Sequence, residues 1–225
     1  MKVVIAAAGT GGHINPGLAI ANKIQKEQTQ SEVLFIGTTY GLENDLVPRS
    51  GYPLKTIEAH GFSKEISIRN LKNIVGTIKG IGQAKKILQE FKPDIVVITG
   101  HDAFYSKKGR IDDIKNYKNS GNFIKAVKMA RNYEFSHEKL VIIAGACQSN
   151  YEELIKAGAN FASSPKRINI HALDPAIIAT TLALTERSKE INLLNLLNKT
   201  KYGHNGIGGL KCNGLMYVGY PREGG

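Results

Sequence analysis

The sequence predicts an α/β fold, a mostly parallel sheet with helices on both faces, and three observations carry that expectation. Short, almost wholly apolar blocks recur along the 225-residue chain: VVIA after Lys2, VLFI after Glu32, IVVI after Asp94 and LVIIA from Leu140. Strands apolar at every position are buried on both sides, as in a parallel sheet. Between the blocks, apolar residues recur at the three- and four-residue spacing of an amphipathic helix. Strand–helix alternation of this kind builds crossover units.

The first strand is expected at Lys2–Ala7, running into a glycine cluster, and a helix follows at Pro16–Lys26 with Leu18, Ile20 and Ile24 at helical spacing. A strand at Glu32–Ile36, a short helix at Leu42–Val47 and a strand at Tyr52–Ile57 come next. From Leu71, apolar positions 71, 74, 75, 78, 81 and 88 keep a helical period through Gly76, Gly80 and Gly82. Pro93 stops that helix. The second half opens with a strand at Asp94–Thr99 and a helix at Asn119–Asn132, with Phe123, Val127, Met129 and Ala130 facing inward. A strand at Leu140–Ala144, a helix at Asn150–Ala157 and short strands at Asn160–Ala162 and Arg167–Ile170 follow. Helices at Asp174–Thr185 and Ile191–Leu197 complete the pattern, and from Gly203 the glycine-rich tail reads as loop or hairpin.

The formal charge is +11, spread over both halves without an aromatic–basic cluster. Such a distribution argues against nucleic acid as a partner and leaves room for peripheral contact with an anionic membrane. Two cysteines, Cys147 and Cys212, make no disulfide framework, which fits a reducing compartment. The apolar stretch Val3–Ala8 is too short for a signal peptide and breaks at glycines. No apolar run approaches the roughly 20 residues that span a membrane. A cytoplasmic location is expected. His60, His137 and His204 with the two cysteines show no zinc-type spacing, so neither metal nor cofactor is expected.

The chemistry-bearing residues stand after two of the apolar blocks. DIVVITGHD ends in Gly100, His101 and Asp102, and LVIIAGACQ ends in Ala146, Cys147 and Gln148. In a parallel sheet the carboxyl ends of strands open into the functional crevice, so neighbouring strands would bring His101 and Cys147 together. A thiol beside an imidazole gains a thiolate–imidazolium state and a general base and acid for acyl transfer. Gly100, Asp102, Ala146 and Gln148 are the substrate-contact and oxyanion candidates, through backbone N–H groups beside the two reactive residues.

The placement resembles the caspase-like peptidase clan, where one hydrophobic block precedes the catalytic His and another precedes Ala-Cys. Asp102 stands where that clan usually has Gly. A closer resemblance covers residues ~93–222: ITGHDAFYSKKG, YKNSGNFIKAVKMAR, LVIIAGACQSNYEELIKAGANFASSPKRINIHALDP and the late GIGG are similar to the YabG family of sporulation-specific cysteine peptidases. The resemblance implies an endopeptidase with a His101–Cys147 dyad, acting on spore coat proteins in the mother cell of an endospore-former.

The first half points elsewhere. AAAGTGGHINPGLAIA is a glycine-rich strand-to-helix loop, suited to an anionic group at a helix N-terminus. It is not a dinucleotide fingerprint, because counting from Gly9 and Gly11 the third glycine position falls on Ile14. With GTTYGLENDLVPRSGY, HGFSKE and ILQEFKPDIVVITG, it resembles the MurG family of peptidoglycan glycosyltransferases over residues ~1–100. That resemblance implies a Rossmann-type half whose loop Thr10, Gly11, Gly12 and His13 faces a lipid-linked diphosphate, with His13 a candidate base. GHDAFYSKKG replaces the family's second glycine loop, and the nucleotide-sugar domain is absent, so glycosyl transfer is not expected. The two resemblances meet at PDIVVITG, which divides the chain into a MurG-like fragment (1–93) and a YabG-like peptidase region (94–225).

The remaining polar candidates have structural alternatives. Asp102 would orient His101 or cap its own loop. Asp174 would serve a pocket for basic residues or cap the helix it opens. His171 would be an alternative base or a structural residue. Ser163 and Ser164 would line the crevice, and Cys212 is a bystander in the tail.

Overall fold

The computed structural model describes residues 1–7, 11–58 and 68–217; of these, the side chains of 13, 68–78 and 108 fall outside the description. Seven strands, β1 (Lys2–Ala6), β2 (Glu32–Thr38), β3 (Leu54–Ile57), β4 (Ile95–Ile98), β5 (Val141–Ala144), β6 (Phe161–Ser163) and β7 (Ile207–Gly209), form one sheet in the order β3-β2-β1-β4-β5-β6-β7. All pairings are parallel except β6 with β7. The apolar blocks are its middle: β4 and β5 are buried at every position.

Helices cover both faces. On one side α1 (Gly11–Glu27), α2 (Glu43–Arg49), α6 (Asp174–Leu184) and α7 (Leu193–Leu197) pack Ile20, Ile24, Val47, Ile178, Leu182 and Leu196 against Val3, Ile5, Val97 and Ile143. On the other, α3 (Ile68–Phe91), α4 (Ser120–Tyr133) and α5 (Tyr151–Lys156) pack Leu88, Phe123, Val127 and Leu154 against Val4, Val96, Ile98 and Ile142. The two-residue period of each strand thus feeds two cores at once. This is the expected α/β architecture, a mostly parallel sheet with helices on both faces. The strand order reverses between β1 and β4, where ligands of such sheets bind. Among the described residues no helix is long and apolar enough to cross a membrane.

Three elements differ from expectation. The first helix starts at Gly11, so Pro16 lies inside it, where its missing N–H costs one backbone bond rather than ending the helix. No strand forms at Arg167–Ile170: Arg167 has φ +53°, a left-handed conformation incompatible with extended chain. Conversely, β7 arises within the glycine-rich tail. A Cβ on Gly209 would lie 2.3 Å from Phe161 Cδ1 and 2.7 Å from the Asn160 carbonyl. Glycine is there because the strand lies too close to β6 for a side chain, not because the chain turns.

Candidate active site

β4 and β5 are adjacent, with Ile98 opposite Ala144 as their last paired residues. His101 and Cys147 each follow three positions later, so the two loops that carry them leave the sheet side by side at its carboxyl edge. The ladder runs one step further through the Gly145 N–H, which donates to the Ile98 carbonyl at 3.0 Å. Gly145 then turns the chain at φ +110°, and a Cβ there would meet Leu154 Cδ1 at 3.0 Å and Ser163 Cβ at 3.1 Å. A glycine before Ala-Cys is therefore a steric requirement of the turn.

Cys147 is half-buried, with Sγ 3.9 Å from the Ile170 carbonyl. The segment following β6 thus folds over it. Gln148 (φ +57°), Ser164 (φ +68°) and Arg167 (φ +53°) are three of the four left-handed non-glycine residues among those described. They belong to one network. The Gln148 N–H donates to Ser164 Oγ and to the Ile168 carbonyl, both at 3.1 Å, and the Ser164 hydroxyl donates to the Ile168 carbonyl at 2.7 Å. Backbone strain gathered in this way is a mark of functional sites. The buried Arg167 guanidinium anchors the segment, donating to Tyr117 Oη at 2.7 Å and to the Pro165 carbonyl at 2.9 Å and pairing with Glu152.

His101 is exposed and borders a cavity of about 400 Å³ between the sheet and α3 and α4, whose wall includes Val4, Ile36, Val96, Ile98 and Phe123. Gly100 lies at the same mouth, with Phe123 Cζ 3.2 Å from where its Cβ would be. Asp102, 1% exposed, turns away from solvent. Its carboxylate accepts the N–H groups of Ala103 (2.9 Å) and Asn119 (2.7 Å) and the Ser120 hydroxyl. It serves its own loop and the first turn of α4.

Two of the oxyanion candidates have their amides committed elsewhere. The Ala146 N–H donates to Ser149 Oγ at 2.9 Å, and the Gln148 N–H is held as described. The Gln148 side chain instead accepts the Phe104 N–H at 3.1 Å, tying the Cys147 loop to the chain after His101. The Cys147 amide lies between these two and donates to no acceptor among the described residues.

The other candidates separate by place. Gly11 and Gly12 open α1; Thr10 and His60 lie outside the described residues, as does the His13 side chain. Asp174 is not a cap: α6 begins at Asp174 itself and has Leu173 as N-cap, while Asp174 Oδ1 accepts the Lys201 N–H at 3.1 Å. His171 Nδ1 accepts the Leu173 N–H at 3.4 Å within its own turn. Ser164 is in the network over Cys147, and Ser163 is buried beside Gly145. Cys212 lines a cavity with His137 and Val141, at the amino end of β5 and away from the crevice. Burial, reinforced by Glu190, pushes its thiol up to about 11. Among the described residues no group of three or more His, Cys, Asp or Glu is placed to hold a metal ion. Sequence reasoning missed Ser120, Ser149 and Asn150, the buried polar residues behind the two loops. Their only signal was position: Ser120 at the start of a helix, Ser149 and Asn150 between an apolar block and the next helix.

A strained turn carrying Cys147 and a loop carrying His101 thus leave adjacent strands at the sheet's carboxyl edge. Comparison with known families goes further. The family described as YabG peptidase U57 matches residues 62–221, and the glycosyltransferase family 28 N-terminal domain matches residues 3–104. The chain belongs to the YabG peptidase U57 family, and its residues 3–104 are similar to the glycosyltransferase domain. The sporulation-specific protease YabG of Bacillus subtilis (strain 168) is 47% identical over 135 residues, 60% of this chain and 47% of that protein. The UDP-N-acetylglucosamine–N-acetylmuramyl-(pentapeptide) pyrophosphoryl-undecaprenol N-acetylglucosamine transferase of Alkaliphilus oremlandii (strain OhILAs) is 47% identical over 100 residues, 44% of this chain and 27% of that protein. The chain thus spans less than half the length of either relative. Among solved structures, Acinetobacter baumannii MurG aligns at 24% identity and TM-score 0.47, covering 72% of this chain and 40% of that one.

Proposed function

We propose that the chain is a cysteine endopeptidase in which His101 and Cys147 are the dyad, acting on proteins of the spore coat type in the mother-cell cytoplasm of an endospore-former. The observation that carries it is the register: both residues leave neighbouring parallel strands three positions after the last pair, Ile98 and Ala144. The His101 imidazole takes the thiol proton while Sγ attacks the scissile carbonyl carbon. The oxyanion that forms lies by the Cys147 amide. The imidazolium returns its proton to the departing amine, leaving a thioester. Water, deprotonated by His101, then attacks the thioester, and its collapse releases the acid and restores the thiol. The experiment is cleavage of a recombinant coat-protein mixture, or self-cleavage, by the full chain. Cys147→Ala and His101→Ala should each abolish it; cleavage that survives Cys147→Ala sinks the proposal.

A second reading rests on the transferase-like first 100 residues: the loop Thr10, Gly11, Gly12 and His13 holds a lipid-linked diphosphate at the head of α1 without transferring sugar. Incubation with the lipid acceptor and labelled UDP-N-acetylglucosamine should give no product. A diphosphate-bearing lipid should raise the melting temperature, and an unchanged melting temperature would discard this reading.

A further inference from the structure

Behind the two strand-end loops the buried polar groups form one connected chain. Resting on the peptidase proposal above, we propose that Asp102, acting through Ser120, is the positioning residue that holds the His101 loop and the Cys147 loop together. The Asp102 carboxylate receives three donors: the N–H of Ala103, the N–H of Asn119 and the Ser120 hydroxyl. Ser120, itself fully buried, has spent its one proton on Asp102 and accepts the Asn150 N–H at 2.8 Å. Asn150 lies three residues after Cys147 and is the N-cap of α5, its side chain accepting the Glu153 N–H at 3.2 Å. Its neighbour Ser149 holds the Ala146 amide at 2.9 Å. On the other side, the Asn119 side chain donates to the His101 carbonyl at 2.7 Å. The backbone of the two loops is therefore joined through one carboxylate and one hydroxyl.

The donor pattern specifies a carboxylate. An amide in its place could keep the two N–H donors on its oxygen, but its NH2 would face the Ser120 oxygen and take from the Ser120 proton the acceptor it has on Asp102. The charge also stands at the N-terminus of a 14-residue helix, α4, where the helix dipole stabilises it. A capping Asp requires only backbone N–H partners. The Ser120 relay to the Cys147 side goes beyond that role.

The experiment uses the full chain in a Cys212→Ser background. Iodoacetamide alkylation of Cys147 is followed at about pH 6.5 and pH 9, with melting temperature and peptidase kinetics beside it. Removing the Ser120 hydroxyl should lower the pH 6.5 to pH 9 rate ratio toward that of His101→Ala. It should also lower kcat by about tenfold to a hundredfold with a smaller change in KM, the usual scale for a displaced reacting group. Ser120→Thr, which keeps the hydroxyl, should recover most of the ratio. A folded Ser120→Ala chain with the wild-type ratio and kcat overturns the positioning role and leaves the dyad standing. A wild-type ratio indifferent to His101→Ala overturns the dyad, and the positioning role falls with it. Should Ser120→Ala not fold, Asp102→Asn is read by the same two measurements, with the same expected losses, and a wild-type ratio and kcat in it overturn the role.

Discussion

The two cysteines differ in surroundings, and the difference is measurable. Cys212 lies in a half-buried position near Glu190, and burial first, with that carboxylate second, raises its thiol from 9.0 to about 11. Thiolate is the nucleophile, so near pH 8 Cys212 should alkylate far more slowly than a free thiol. Peptide mapping after limited iodoacetamide treatment should find label on Cys147 first; equal labelling would contradict the burial of Cys212. The same shift has a stability consequence. The folded state holds the Cys212 proton more tightly than the unfolded state, so stability is complete below pH 9 and falls between pH 9 and about 11. Cys212→Ser should flatten that alkaline limb in urea melts taken from pH 8 to 11. At this scale the sequence was legible in placement: the apolar blocks put His101 and Cys147 just after adjacent strands. It was opaque where the function of a residue depends on partners distant in the chain. Asp102 looked like either an orienting group or a loop cap, and only the hydrogen bonds from Ala103, Asn119 and Ser120 show which groups it binds.

At the scale of elements, one buried arginine does what no strand or helix does alone. Arg131, near the end of α4, donates to the carbonyls of Gly158 (3.0 and 2.9 Å), Glu134 (3.0 Å), Ser136 (3.0 Å) and Leu140 (3.2 Å), and to Asn160 Oδ1 at 2.8 Å. It thereby caps α4, holds the turn before β5 and reaches the start of β6. Asn160 Oδ1 also accepts the Ile142 N–H at 2.9 Å. Burial lowers the guanidinium's hold on its proton, but it stays charged at neutral pH. Arg131→Met should cost about 3–5 kcal/mol, since it strands buried carbonyls without donors. Urea denaturation measures this directly, and a loss below about 1 kcal/mol would mean that water replaces the guanidinium. None of this is visible in a helical period, which records only that position 131 adjoins the inward Ala130. The blocks DIVVIT and LVIIA were legible because burial on both faces leaves an unbroken apolar run. Arg167–Ile170 misled because Ile168 and Ile170 alternate like a strand, while the left-handed Arg167 bends them into the loop over Cys147. β7 was hidden because its glycines answer to Phe161 and Tyr151, residues remote in sequence.

At the scale of the molecule, the two family matches overlap over 62–104, which includes α3 and β4, and one sheet holds strands from both sides of that overlap. β4 pairs with β1 from Val3 opposite Ile95 to Ala6 opposite Ile98, and the Thr99 N–H, just before the His101 loop, donates to the Ala6 carbonyl at 3.2 Å. The same core also crosses that overlap, since α6 packs on α1 and Ile178 and Leu182 share a cluster with Ile20 and Ile24. A chain of residues 94–225 alone would leave β4 as an open edge and strip α6 of its partner. Open apolar edges invite aggregation. We therefore expect residues 94–225, expressed alone, to bind a hydrophobic dye or precipitate, and the full chain to melt in one cooperative transition. Two separated transitions in the full chain, or a monomeric, dye-silent 94–225 fragment, would mean that the peptidase region folds without its borrowed strands. A single transition would make the transferase-like strands part of the peptidase in the physical sense: the backbone that holds the His101 loop would depend on β1, whichever family that strand came from.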